Sequence, residues 1–338
     1  MKTRILVGAA GLLLVFYLLP PTPTTTPIEK YHLAMGTVVR LAIYAHEDDA
    51  SELFALAADE LDRIESLMSR YSSASEVNAI NRLAADRPVA VSGDMARVLT
   101  RSLWFARLTG GAFDPTLGAL TGLWGFPDAR VPPGDAQIDS ALALTGYAQL
   151  QLAENRVRFL RRGMGLDLGA AAKGYAVDRT VDLLEAAGVE AGLVEAGGDI
   201  RFWGDKPDGS DWRFGVQHPR QRDDLVVVDG PKIRALATSG DYERVFDYDG
   251  RIYHHLLDPT TGHPARRAVS ATVWAETAMD ADILATAVFV MGPGAAVKLI
   301  ESTPKTETLI FYMEAGRLEQ RTSSGLRGLT RTTQRSEE

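Results

Sequence analysis

The 338-residue chain contains no cysteine. That absence excludes thiol nucleophiles, thiolate metal sites, disulfides and a lipid-modified N-terminal Cys. Several phosphate and hydrolase signatures are missing as well. There is no Walker A loop, no G-x-G-x-x-G after a strand, no H-E-x-x-H and no G-x-S-x-G elbow. P-loop phosphoryl transfer, the ordinary dinucleotide-fold flavin site, thermolysin-type zinc hydrolysis and α/β-hydrolase chemistry are thereby set aside. Positive charge is also short: 36 Lys and Arg against 44 Asp and Glu give a net charge of −8. The first 27 residues carry +2 and residues 317–338 carry +2, so the body between them holds −12. An acidic body speaks against nucleic acid as a partner, since phosphate backbones need a basic footprint. Any phosphate ligand entering such a body is expected to arrive with a metal cation.

Long apolar runs are confined to one place. Lys2 and Arg4 precede Ile5–Leu19, which is almost unbroken and ends at Pro20-Pro21. A basic start followed by such a run is an export pattern, retained as an anchor or cleaved as a signal. No clear small-x-small cleavage site follows, only an extended Pro/Thr linker. With the basic residues inside, the body lies outside the cytoplasm, on the periplasmic side of the inner membrane. Residues 317–338 are polar, rich in Arg and Thr and without periodicity, and are expected to be an unstructured tail. The chain therefore divides into an N-terminal segment (1–27), a folded body (28–316) and a tail (317–338).

What is present in the body is ordinary globular material, 46% apolar and 24% charged. Its length suits two lobes or one large α/β body, with the Pro- and Gly-rich stretch 127–134 as the candidate boundary. Residues 37–44 alternate as a strand, and Ser51 is placed to cap a helix reaching Met68. Further helices are expected near 94–109, 171–187 and 280–291, with a hairpin at 150–160 and many short β-rich runs between 192 and 275. Helices interleaved with hairpin-like strands, without regular βαβ alternation, predict an α+β fold: a largely antiparallel sheet packed with helices.

Chemistry-bearing residues gather at element ends. Asp167-Leu-Gly-Ala-Ala-Ala-Lys173 opens a helix, where small residues admit a ligand to free backbone N–H groups and Lys173 can neutralise an anion. Taken alone, the same pattern also describes a small-residue helix packed tightly on a sheet. Asp282 and Thr286 stand one helical turn apart, hard oxygen donors on one face that suit Mg²⁺. An N-terminal Asp favourable to the helix dipole explains Asp282 equally well. His254-His255-Leu-Leu-Asp258 ends a strand in a turn and offers His255 as a base. Ser239, in a β-rich stretch without an elbow, is a poor nucleophile candidate.

The order of these motifs is more informative than any one of them. Met35-Gly-Thr37, Ser69-Arg-Tyr71 with Ser75-Glu-Val-Asn78, and Thr109-Gly-Gly-Ala-Phe-Asp114 come first. Asp167 to Lys173, Glu195-Ala-Gly-Gly-Asp199, Ala237-Thr-Ser-Gly-Asp-Tyr242, His255-Leu-Leu-Asp-Pro and Asp282-x-x-x-Thr286 follow. The set resembles the ApbE family, the FAD:protein FMN transferases, over about residues 30–315. The resemblance implies a T-fold-like body that binds FAD and moves its FMN half, through a phosphoester bond, onto a Thr or Ser of an exported flavoprotein, releasing AMP. It further implies FAD contacts at Met35, Tyr71, Ala112, Phe113, Asp114, Asp167, Lys173 and Leu256. By the same resemblance Mg²⁺ lies on the Ala170 carbonyl, Asp282 and Thr286, and His255, Asp282 and Lys173 are the catalytic candidates. Two departures are visible: no Cys is available for the lipid anchor frequent in the family, and Leu256-Leu257 stand where isoleucines are common. The motifs do not separate transfer from Mg²⁺-dependent FAD hydrolysis to FMN and AMP, or from flavin binding without turnover.

Overall fold

The computed structural model describes residues 26–221, 224–229 and 233–333. The apolar run Ile5–Leu19 therefore lies outside the described residues, and among these no helix is long and apolar enough to cross a membrane.

Eight strands build one antiparallel sheet: β1 (Ile28–Ala34), β2 (Thr37–Tyr44), β3 (Ala191–Ala196), β4 (Asp199–Trp203), β5 (Ala235–Gly240), β6 (Ser270–Ala275), β7 (Glu307–Glu314) and β8 (Arg317–Thr322). Their order across the sheet is their order along the chain. The other elements are insertions between neighbours, apart from a short C-terminal extension beyond β8 that ends in the strand Thr330–Thr333. Between β2 and β3 lie α1 (Glu47–Met68), α2 (Glu76–Leu83), α3 (Gly93–Leu108), α4 (Gly118–Trp124), α5 (Asp135–Leu142) and α6 (Ala172–Ala186). Between β6 and β7 lie α7 (Ala278–Met291) and α8 (Pro293–Ser302).

Both faces of the sheet are covered, which is why β6 is buried at every position. On one face α6 packs on β3 and β4, α7 packs on β5 and β6, and the two helices touch each other. Their core includes Val194, Ala237, Val273, Val177, Val181, Ile283 and Phe289. On the other face the strands Arg213–Gln217, Leu225–Asp229 and Thr330–Thr333 form a small sheet. Phe214, Val216, Val226 and Val228 from it close over Phe202, Trp274 and Phe311. A third cluster joins Trp124 to Phe246, Tyr253 and Leu257 beneath a two-stranded ribbon, Val245–Tyr248 with Arg251–His254.

The α+β expectation holds, and the strand at 37–44 and the hairpin near 150–160 stand where the pattern places them. Three expectations are corrected. The supposed tail is structured as far as Thr333, the last described residue: residues 317–322 pair with β7, Leu326 is buried in the second core, and Thr330–Thr333 pairs with Leu225–Asp229. A sheet-edge strand with one apolar side chain, Leu318, carries no alternation to read. The stretch 127–134 is no lobe boundary, because α4 and α5 on either side of it share one apolar cluster through Leu120, Trp124 and Ile138. Finally, α1 begins at Glu47, not at Ser51. Glu47, Asp48 and Asp49 favour the positive end of the helix dipole and extend it by a turn.

Candidate active site

The site is assembled where α6 and α7 start. α7 reads Ala-Met-Asp-Ala-Asp-Ile-Leu-Ala-Thr-Ala-Val-Phe-Val-Met, apolar almost all round, as a helix sunk between sheet and neighbours must be. Its two carboxylates are conspicuous there. Asp280 is held by a two-pronged bond from the Arg101 guanidinium at 2.7 and 2.6 Å. Asp282 faces α6 instead: its Oδ2 accepts from Lys173 Nζ at 3.3 Å and from the Gly174 backbone N–H at 3.4 Å. Lys173 also donates to Asp199 Oδ2 at 2.6 Å. Asp199, at the start of β4, is 1% exposed.

Three charged groups thus share one buried place. Burial opposes the Lys173 charge, but Asp199 and Asp282 together outweigh it and raise the ammonium pKa above the ordinary lysine value. Asp199 is pushed well above the usual carboxylate range, first by burial and then by the neighbouring Asp282 charge, with Lys173 acting against both. Two carboxylates against one ammonium are one negative charge too many where water is excluded, and burial together with that surplus drives the Asp199 carboxyl toward its protonated form. A second cation relieves that surplus. One turn on, Thr286 Oγ1 lies 3.3 Å from Ser239 Oγ on β5. A carboxylate and a hydroxyl are both hard oxygens, the donor chemistry of Mg²⁺, as is the Ala170 carbonyl expected to join them, which stands three residues before Lys173 in the chain. Among the described residues no cluster of three His, Cys, Asp or Glu offers a softer alternative.

His255 follows the ribbon and is half-buried. Its Nδ1 lies 3.1 Å from the Glu243 carbonyl oxygen. A carbonyl only accepts, so Nδ1 carries the proton and Nε2 keeps its lone pair. Burial, followed by the Arg244 charge, lowers its pKa to about 4, and Lys173 contributes in the same direction. His255 is therefore a neutral imidazole within electrostatic reach of Lys173. His254 is buried, and its ring bonds the Ala265 carbonyl oxygen at 2.9 Å through Nε2, which fixes the strand from which His255 emerges.

The remaining expected contacts fall into two kinds. Tyr71 is 71% exposed, with the Arg70 guanidinium 5.6 Å from its ring centre, an open face for an aromatic ligand. Met35 sits at φ 56 in the Met35-Gly36 turn between β1 and β2, and its N–H donates to Glu65 Oε2 at 2.8 Å. Phe113 and Leu256, by contrast, point into the main core, so those segments can offer a ligand only their backbone. Asp114 is consumed internally: it accepts from Thr116 N and Oγ1 at 2.7 and 2.6 Å and from Tyr147 N at 2.9 Å. Burial nevertheless raises its pKa. It shapes the loop beside the half-buried Ala112. Asp167 accepts from Arg70 Nη1 at 2.8 Å and from Gly169 N at 2.9 Å, tying the Tyr71 loop to the start of α6.

Asn78 strengthens that tie by donating to the Arg70 and Ser72 carbonyl oxygens, and Asn81 exchanges two bonds with the Leu166 backbone. Asp199, Ser239 and Asn81 are not legible as site residues in the sequence. Asp199 and Ser239 belong to glycine-bearing motifs, but nothing local says that they meet Lys173 and Thr286.

The ApbE family model matches residues 35–310. An FAD:protein FMN transferase of Vibrio cholerae serotype O1 is 35% identical over 311 residues, 88% of this chain and 92% of that protein. One of Treponema pallidum is 36% identical over 310 residues, 84% of each. Among solved structures, the flavin transferase ApbE from Vibrio cholerae superposes with a TM-score of 0.82 at 32% identity, over 90% of this chain and 99% of that one. The ApbE protein from Thermotoga maritima gives 0.80 at 36% identity, with the same coverage. With its family model spanning most of the body and its fold shared at this identity, the chain belongs to the ApbE family.

Proposed function

We infer that this protein is an FAD:protein FMN transferase. The observation that carries the reading is the buried junction of Lys173, Asp199 and Asp282, whose surplus negative charge suits a cation beneath a pyrophosphate. The membership of the family supports it.

In this reading Tyr71 and the Met35 turn hold the flavin end, and the backbone of residues 110–114 and 167–170 meets the nucleotide and phosphates. Asp282, Thr286 and the Ala170 carbonyl would hold Mg²⁺, which supplies charge neutralisation of the pyrophosphate and Lewis-acid polarisation of its phosphorus. Lys173, fixed between two carboxylates, adds positive potential that needs no reorganisation during the reaction. His255 keeps Nε2 free to accept a proton, because Nδ1 is committed to the Glu243 carbonyl. An acceptor Thr or Ser hydroxyl oxygen bonds to the phosphorus on the FMN side, its proton passing to His255 Nε2. The bridging P–O bond breaks, and AMP leaves with that electron pair. Holding the hydroxyl in line with the leaving oxygen is most of the catalytic work.

The acceptors are exported flavoproteins carrying a Thr or Ser target, and the apolar segment Ile5–Leu19 holds the body on the periplasmic side of the inner membrane. The support for that location is the basic start and apolar run alone; protease accessibility in spheroplasts tests it. The function itself is tested by incubating the protein with FAD, Mg²⁺ and an exported flavoprotein. The expected result is an FMN-sized adduct on Thr or Ser, with one AMP per adduct. FMN and AMP released without acceptor, and no adduct with it, would replace transfer by hydrolysis.

A further inference from the structure

The two helices that meet at the site are fastened to each other at both starts, and only one of the fastenings belongs to the chemistry described above. Asp282 of α7 receives the first turn of α6, through Gly174 N–H and Lys173 Nζ. In the opposite direction, Asp178 of α6 receives the first turn of α7: its Oδ1 accepts from Ala278 N at 2.8 Å and its Oδ2 from Met279 N at 2.9 Å. Thr277 covers the next two N–H groups, Oγ1 accepting from Asp280 N and its carbonyl oxygen from Ala281 N. Asp178 is 6% exposed. Arg201 donates to Asp178 Oδ1 at 3.2 Å and to Asp182 Oδ1 at 2.9 Å, balancing the buried charge from behind.

Spacing makes this arrangement a gauge. Gly174 and Asp178 are one turn apart on α6, as Ala278 and Asp282 are on α7, so each pair lies on the facing side of its helix. Between the pairs there is no slack. A Cβ on Gly174 would lie 2.3 Å from the Ala278 carbonyl oxygen. The depth at which α7 starts is therefore set by Asp178 and Gly174 together. Asp282 and Thr286 follow rigidly from it, since helix geometry allows no independent adjustment within two turns.

We propose that Asp178 is a positioning residue of the transfer centre, setting through the N-terminus of α7 where Asp282 and Thr286 stand relative to Lys173. The inference rests on the reading of Asp282 and Thr286 as metal ligands. It gives the second carboxylate of the Asp167-to-Asp178 segment a task that touches no substrate. Its loss is felt as a displaced cation site before it is felt as a lost fold.

The test compares wild type with Asp178→Asn, which keeps the shape but turns one acceptor into a donor facing an N–H. Gly174→Ala presses on the same contact from the other helix. Asp280→Asn is the control, cutting a buried ion pair in the same turn of α7 that does not face α6. Calorimetric binding of Mn²⁺ to the metal-free protein gives a readout independent of turnover. The expected result is an about tenfold weaker Mn²⁺ affinity in Asp178→Asn and Gly174→Ala. The kcat falls in parallel, the KM for FAD stays close to wild type, and far-ultraviolet circular dichroism remains native. The control loses melting temperature but keeps Mn²⁺ affinity. Unchanged affinity in a folded Asp178→Asn or Gly174→Ala overturns the proposal, as does an equal loss in Asp280→Asn. If wild type binds Mn²⁺ with Asp282 intact yet transfers no FMN, the functional reading fails while the positioning comparison still stands or falls by the affinities.

Discussion

The α6–α7 junction and the ribbon that carries His255 serve one centre but are built on different physics. At the junction, charged side chains issue from the first turns of two buried helices and from the start of β4, and every partner is another buried group. At the ribbon, His255 follows a short strand pair whose inner face carries the stacked rings of Phe246 and Tyr253, 5.3 Å apart, with Trp124 tilted against Tyr253 at 5.7 Å. Its other face leaves Val245 and Ile252 exposed. Groups that must hold fixed charge sit where nothing can relax. His255, the proton acceptor in the proposed reaction, is only half-buried at the end of the ribbon.

That contrast can be broken by mutation, and the largest effect belongs to the junction. Asp282→Ala removes the carboxylate donor of the proposed cation site and is expected to cut transfer by about a thousandfold or more, since one group here serves both metal and phosphate. A single-turnover assay following AMP decides it. Residual transfer near wild type would dissolve the cation reading. His255→Gln is expected to slow transfer by about a hundredfold, the usual scale for a lost proton acceptor, while FAD binding measured by flavin fluorescence stays intact. Equal losses of binding and rate would make His255 a structural residue of the ribbon.

The same comparison predicts opposite effects on stability. Lys173→Met leaves Asp199 and Asp282 buried without their ammonium and is expected to cost about 3–5 kcal/mol. Denaturant unfolding of the metal-free protein measures it. His255 contributes more gently, and through pH. Its folded pKa of about 4 lies below the ordinary 6.5. The neutral ring's contribution is therefore present above pH 6.5 and is lost as pH falls towards 4. Wild type should lose stability across that window, and His255→Gln should lose less. Identical pH profiles would mean that the ring is freely hydrated.

Much of this was legible along the chain. The strand at 37–44 and the helix near 280–291 were expected in the sequence and stand there, the helix starting two residues earlier, at Ala278. Asp282 and Thr286 were visible because carboxylates and hydroxyls are few in that run, and Lys173 because it follows a stretch of small residues at a helix start. Other features were not visible, for physical reasons. β8 and Thr330–Thr333 earn their place from the strands they pair with, and an edge strand with polar side chains has no pattern of its own. Asp114 reads as a ligand contact, but its oxygens are taken by Thr116 and Tyr147, a partner 33 positions away.

The sequence by itself determined the alternation of elements, the exclusion of thiol and P-loop chemistry, the acidic body and the order of motifs that marks the family. All of these depend on residue type and short spacing, which a chain carries whether or not it is folded. Tertiary structure alone decided which acid meets Lys173, which tautomer His255 adopts, and that Asp178 and Asp282 each fasten the helix opposite. Those relations join residues 26, 109, 12 and 100 positions apart. Only the closing of the sheet, with α6 and α7 pressed onto one face of it, brings such distant groups within hydrogen-bond reach and removes the water that would otherwise make their pairing weak.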